Sequence, residues 1–233
     1  LVKFNCDVEN KEELWTITKG IAWVVKNHWT EPDKGIWEFR QGDKHFTFSK
    51  VLCWVAIDRA IKVSKMLGKT SKLYRWEKLE EEIKSEILKN SWNDNVQAFT
   101  QSYDSEDLDA SVLLMETYGF IDAKHPKFVK TVEAIGKDLT NDGLLYRYKN
   151  KDDFGLPMSS FTICTFWYIN SLNKIGRTQE ALSQFKTLLS YSNHLGLFSE
   201  DIDFKTKRLL GNFPQAYSHL ALIETAMNFE KVM

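Results

Sequence analysis

The sequence predicts an all-α protein built from helix pairs curled into a ring, and three observations carry that expectation. Apolar residues recur at helical rather than alternating spacing through eight segments. Four prolines and eleven glycines are few for 233 residues of many-stranded β structure. Helices that are apolar on one face alternate with helices that are apolar nearly all round, as an outer and an inner layer require. An open helical solenoid is the alternative arrangement.

The elements follow in chain order. A first helix is expected over 11–29, around the apolar run Ile21–Val25. A second covers 46–67, where Val51-Leu-Cys-Trp-Val-Ala56 gives a pattern intermediate between enclosed and one-faced. The third, 71–90, is amphipathic, with Leu73, Trp76, Leu79, Ile83 and Ile87 every three or four residues and Lys and Glu between them. Shorter helices are expected over 108–119 and 126–139. The sixth, 160–174, is apolar almost throughout from Phe161 to Ile169 and reads as enclosed by neighbours. The seventh, 178–192, repeats the one-faced pattern through Ala181, Phe185 and Leu188–Leu189, and the eighth, 213–229, carries the apolar stretch Ala216–Ile223. Phe48 to Trp54 and Phe161 to Trp167 share a Phe-x5-Trp spacing, a faint internal repeat. Gly143–Tyr148 suggests a strand of a small hairpin. No Pro/Gly/Ser-rich linker interrupts 1–233, so a single domain is expected.

Composition narrows the function classes. The 31 basic and 32 acidic side chains nearly cancel, which argues against a nucleic-acid or anionic-membrane partner. No apolar run is long enough to cross a bilayer. Cys6, Cys53 and Cys164 are odd in number and widely spaced, so neither a disulfide framework nor a thiolate metal site is expected. A reduced, cytoplasmic setting follows. The five histidines lack metal-ligand spacing, and His28, His125, His194 and His219 read as structural or solvated. Neither a metal nor an organic cofactor is expected. The start at Leu1, without an initiator Met, suggests a piece of a longer polypeptide.

In a ring of paired helices, the connections that enter inner helices share one face, and here they hold the unusual residues: 34–45, 103–109, 146–160 and 198–212. Two carboxylates stand out there. Cleavage of a glycosidic bond needs one protonated carboxyl to donate to the leaving oxygen and one ionised carboxylate to act on water or carbon. Glu38, after Trp37, has an aromatic setting suited to the acid. Glu200, among Asp201 and Asp203, suits the base. The residues alone leave the alternative open that each is a solvated loop carboxylate. The acidic runs at 104–109 and 200–203 lack a calcium-loop pattern and read more simply as helix caps.

Several strings together resemble glycoside hydrolase family 15, which contains glucoamylases, glucodextranases and prokaryotic trehalases. They are Gly35-Ile-Trp-Glu-Phe-Arg40, His45-Phe-Thr-Phe-Ser-Lys50, Cys53-Trp-Val-Ala-Ile-Asp-Arg-Ala60, Leu108-Asp-Ala-Ser111, Cys164-Thr-Phe-Trp167, Ser199-Glu200 and Gly211-Asn-Phe-Pro-Gln-Ala-Tyr-Ser-His-Leu-Ala221. The resemblance implies an (α/α)6 barrel of twelve helices, of which this chain supplies numbers five to twelve. It implies Glu38 as general acid and Glu200 as general base of an inverting, exo-acting α-glucoside hydrolase of glucoamylase type. Trp37 is then expected to pack against the sugar, and Arg40 and His45 to bind hydroxyls or orient Glu38. A trehalase of the same family is the second reading and a non-catalytic helical binding module the third. The implied ligand is an α-linked glucose oligosaccharide, polysaccharide or trehalose. Three departures stand out: Phe48 replaces an expected histidine, the loop 155–161 lacks an expected acidic residue and glycine, and the first four barrel helices are absent. The last leaves two open apolar flanks, to be closed by an N-terminal segment or by self-association.

Overall fold

The computed structural model describes residues 10–40, 42–152 and 155–230. Cys6 lies outside the described residues. The chain divides into two compact units, 1–92 and 93–233.

The first unit holds α1 (Lys11–His28), α2 (Thr47–Met66) and α3 (Leu73–Asn90). Asn10 starts α1 as an N-cap, its Oδ1 accepting from the Glu13 amide at 3.0 Å, and its Nδ2 donates to Glu13 Oε2 at 2.9 Å. Such reciprocal capping stabilises a helix start by about 1 kcal/mol. The helix then buries only Trp15, Thr18 and Ala22. By contrast α2, packed against both α1 and α3, buries eleven of its twenty residues, including Val51, Trp54, Ile57 and Ile61. The expected stripe of α3 is present: Trp76, Leu79, Ile83 and Ile87 are buried, and Trp76 meets Trp15 with ring centres 5.6 Å apart. The first unit ends at Trp92, the first residue of β1 (Trp92–Asn93).

The second unit opens with β2 (Ala98–Phe99). A 3-10 turn, Ala110–Leu113, runs into the single-turn α4 (Leu114–Thr117). Asp109 caps that turn, its Oδ1 accepting from the Ser111 amide at 2.7 Å. Next come α5 (Pro126–Leu139), β3 (Thr140–Asn141) and β4 (Leu144–Leu145), β5 (Ser160–Phe161), α6 (Thr162–Lys174), α7 (Thr178–Leu189), β6 (Asp201–Ile202), β7 (Leu209–Leu210) and α8 (Ala216–Glu230). The suggested hairpin exists as β3 paired with β4 about Asp142-Gly143, both in the left-handed region that a tight hairpin turn requires. Helix α6 is the enclosed one, contacting α5, α7 and α8. Its Phe166 sits at the centre of an aromatic cluster, 6.3 Å from Phe185 and 5.6 Å from Phe198.

Helix α8 buries little of itself: among its described residues only Ser218, Ala221, Thr225 and Phe229 are buried, while Tyr217, Leu220, Ile223 and Met227 are half or more exposed. Helix α1 exposes a comparable stripe, Ile17, Ile21 and Val24. Among the described residues no helix is long and apolar enough to cross a membrane.

Candidate active site

Glu38 lies in the segment joining α1 to α2. An isolated antiparallel bridge between Asp33 and Lys44 closes the segment into a loop, with paired bonds of 2.9 and 3.0 Å. Inside it, the Glu38 amide donates to Gly35 O at 3.1 Å and the Phe39 amide to Lys34 O at 2.9 Å, which folds 34–39 into a tight turn. That turn places Glu38 at φ 55°, a left-handed conformation that costs a non-glycine residue of the order of 1 kcal/mol. The turn is held from beneath by Phe39, which stacks on Phe46 with centroids 5.2 Å apart and planes 6° from parallel.

Trp37, Glu38, Arg40 and His45 all lie on this one loop. Their burial differs from the expectation in one respect. The sequence suggests an aromatic enclosure for Glu38, but in this chain Glu38 and Arg40 are exposed, Trp37 and His45 half-buried, and the deep apolar position falls to Phe39. The turn geometry explains this, because Phe39 supplies the anchor and Glu38 takes the outer corner.

Glu200 is held quite differently. Strands β5, β6 and β7 form a small antiparallel sheet in which Phe161 pairs with Asp201 and Asp201 with Leu210. Glu200 extends that ladder by one residue: Thr162 N donates to its carbonyl at 2.9 Å, and its own amide donates to Asn212 O at 2.9 Å. Its side chain is fixed too, since Oε2 accepts from both the Asn212 amide at 3.2 Å and Asn212 Nδ2 at 3.0 Å. The first turn of α8 braces the residues before it. Ser218 Oγ donates to Ser199 O at 2.8 Å, and the Phe198 amide donates to His219 Nε2 at 3.2 Å. His219 therefore has a structural role, its Nδ1 lying 2.7 Å from Gln215 O.

The acidic run after Glu200 does not cap a helix. Asp201 belongs to β6, and Asp203 closes the β6–β7 turn, accepting at Oδ1 from the Thr206 amide and hydroxyl at 2.6 and 2.7 Å. Those donors hold the Asp203 carboxyl below its ordinary range. Asp201 moves the other way. Burial disfavours its charge and the neighbouring Glu200 adds repulsion, which the 2.7 Å bond from Ser159 Oγ only partly offsets.

A cavity of about 190 Å³ opens beside Asp201, lined by Arg147, Asp152, Pro157, Ser159 and Phe161 among others. That is the space of roughly six waters. Arg147 Nη2 and Tyr148 OH both donate to Asp152 Oδ2, at 3.0 and 2.6 Å, and burial with the adjacent Asp152 pushes the Tyr148 phenol well up. A guanidinium, a hydroxyl and two carboxylates around a small polar cavity match the donors and acceptors of a sugar ring. The sequence marks the connection 146–160 and the acidic run at Asp201, but not that Arg147, Asp152 and Ser159 meet Asp201 around one cavity. Arg147 and Asp201 are 54 residues apart, and strands of two residues leave no periodicity to signal their meeting.

A larger groove of about 740 Å³ in the first unit runs along α1 and α3 between Lys19, Trp23, Lys26, Tyr74 and Arg75. None of the expected site residues lines it. Among the described residues there is no cluster of three His, Cys, Asp or Glu side chains able to hold a metal.

Comparison with known proteins covers nearly the whole chain. The model of the glycosyl hydrolases family 15 matches residues 2–227. A trehalase of Mycobacterium tuberculosis is 42% identical over 220 residues, covering 93% of this chain and 32% of the relative. A trehalase of Thermoplasma volcanium is 38% identical over 221 residues, covering 94% of this chain and 36% of the relative. The chain thus spans about a third of the length of these curated relatives. Among solved structures, the glucoamylase of Hormoconis resinae superposes with a TM-score of 0.74 at 12% identity, over 92% of this chain and 47% of the other. A bacterial glucoamylase complexed with acarbose gives 0.74 at 15% identity, over 94% of this chain and 38% of the other. At such identities the likeness shows the fold, and it is the all-α, (α/α)6-type class that the helix pattern predicts. With its motifs in order and nearly its whole length matched, the chain belongs to glycosyl hydrolases family 15.

Proposed function

We propose that the protein to which this chain belongs is an inverting trehalase, with Glu38 as general acid and Glu200 as general base. The single observation that carries the substrate is the run of relatives named trehalase, 36–42% identical over 93–95% of the chain. The sequence alone ranks a glucoamylase-like exo-hydrolase first. The glucoamylase likenesses, at 12–15% identity, support the fold but not that substrate.

In this reading Glu38 donates its proton to the glycosidic oxygen of α,α-trehalose as the bond to one anomeric carbon lengthens. Glu200 takes a proton from a water attacking that carbon from the opposite side. The two carboxyl groups must then stand about 6.5–9.5 Å apart, leaving space for the water. Several features support these roles. Two N–H donors on Oε2 fix the orientation of the Glu200 carboxylate, which a base acting on one water needs. The cavity with Arg147, Ser159 and Asp201 supplies hydroxyl partners next to it. Trp37 offers a face for the sugar, and Arg40 and His45 lie within the same loop as Glu38 to bind hydroxyls or steady it.

The test is hydrolysis of trehalose, maltooligosaccharides and isomaltose by the full-length protein, with the products followed by NMR as they form. Inversion at one carbon of α,α-trehalose releases one β-glucose and one α-glucose, so the expected initial ratio is one to one. Two α-glucose molecules would exclude the mechanism. Cleavage of maltooligosaccharides with trehalose untouched would restore the glucoamylase-like reading, and intact folding without hydrolysis of any α-glucoside would favour a binding module.

A further inference from the structure

The loop that carries Glu38 is fastened to the first turn of α2 by two consecutive side chains, and we infer that Ser49 and Lys50 position the general acid. This rests on the reading of Glu38 as the acid. Lys50 is only 2% exposed, and its Nζ donates to Trp29 O at 2.6 Å and also to Glu31 O. Those carbonyls stand where α1 ends and the loop begins. Ser49 Oγ donates to Asp33 Oδ1 at 2.7 Å, and the same oxygen accepts from the Gly35 amide at 2.6 Å. Gly35 O in turn receives the Glu38 amide at 3.1 Å. A continuous series of hydrogen bonds therefore runs from α2 through Asp33 and Gly35 to the backbone of Glu38.

The energetics favour positioning over packing. A buried ammonium loses its hydration, and an apolar side chain of the same length would fill the space without that loss. Burial accordingly pushes the Lys50 ammonium down from its ordinary range, against the nearby charges of Asp33 and Glu31. What the ammonium adds is two directed bonds to loop carbonyls. The left-handed backbone at Glu38 needs such external fixing, because that conformation is held only where the surroundings determine it. Ser49 and Lys50 touch no substrate in this scheme and act through Glu38.

A leaving-group comparison in the full-length protein separates positioning from general damage. Trehalose needs its leaving oxygen protonated, whereas α-glucosyl fluoride has a leaving group that needs little help. Ser49→Ala and Lys50→Met should each lower kcat on trehalose about tenfold or more, a part of what a general acid contributes, and lower it far less on the fluoride. Glu38→Gln should show the same asymmetry more strongly. Equal losses on both substrates for Ser49→Ala and Lys50→Met, or no loss on either, would overturn the inference while the acid assignment stood. Lack of asymmetry in Glu38→Gln would overturn the acid assignment and the inference with it. If Lys50→Met fails to fold, the milder Ser49→Ala decides alone.

Discussion

Gly211 lies directly under the carboxylate of Glu200, and replacing it with alanine should separate catalysis from stability. At Gly211 φ is 73°, and a Cβ built there would lie 2.8 Å from Glu200 Oε2 and 3.1 Å from Glu200 Cβ. Ordinary contact begins near 3.4 Å, so the carboxylate has to retreat by about 0.6 Å and strain its two bonds from Asn212. Since a 1 Å misplacement can cost about a hundredfold, a loss of kcat of roughly tenfold is expected. The left-handed backbone adds about 1–2 kcal/mol of destabilisation for any L-residue, which lowers Tm by roughly 2–8 °C for a chain of this size. Gly196 provides the control. Its φ is 76°, and an added Cβ meets nothing within 4 Å, so Gly196→Ala carries the same backbone cost without the collision. Steady-state kinetics on trehalose and thermal melts of both variants in the full-length protein make the comparison. Both should melt lower by similar amounts, and only Gly211→Ala should lose kcat. Equal kcat in the two variants would refute the role given to Glu200.

Two further outcomes follow from strain and charge. Glu38→Gly should raise Tm by a few degrees through relief of about 1 kcal/mol at φ 55° while abolishing hydrolysis, and an unchanged or lower Tm would show that the turn is not strained. Asp201 binds its proton more tightly in the folded chain than its ordinary value of 3.8 allows. Its contribution to stability is therefore fully present below that value and is lost as pH rises through the raised folded pKa. Asp201→Asn, which cannot ionise, should gain Tm relative to the parent as pH is raised from about 4. Melts at rising pH check this, and a difference that is flat or falls with pH would contradict it.

Much of the fold is legible in the residues because helices announce themselves. Leu73, Trp76, Leu79, Ile83 and Ile87 fix α3, and the enclosed character of α6 follows from Phe161–Ile169, since a helix apolar on all sides must be covered on all sides. Helix α8 is less legible. Its apolar stretch Ala216–Ile223 does not say which neighbours cover it, and within this chain Tyr217, Leu220, Ile223 and Met227 stay open. The sheet that carries Glu200 leaves no trace, because strands of two residues are too short to show alternation. The Asp33–Ser49 and Lys50–Trp29 contacts are equally silent. They are single polar pairs 16 and 21 residues apart, in a stretch whose most visible feature is its aromatic content.

The two glutamates differ in how much freedom their backbones retain. Glu200 is stitched into main-chain pairing on both flanks, to Thr162 on one side and Asn212 on the other, so it inherits the stiffness of α6 and the small sheet. Glu38 rides on an exposed corner whose main-chain bonds stay within its own loop, and Ser49 and Lys50 tie that loop to α2 through side chains. Adaptation to a different leaving group should therefore fall on the corner rather than on the sheet. Variants selected for cleavage of another α-glucoside are expected to accumulate exchanges within 33–46 before any appear in 198–212.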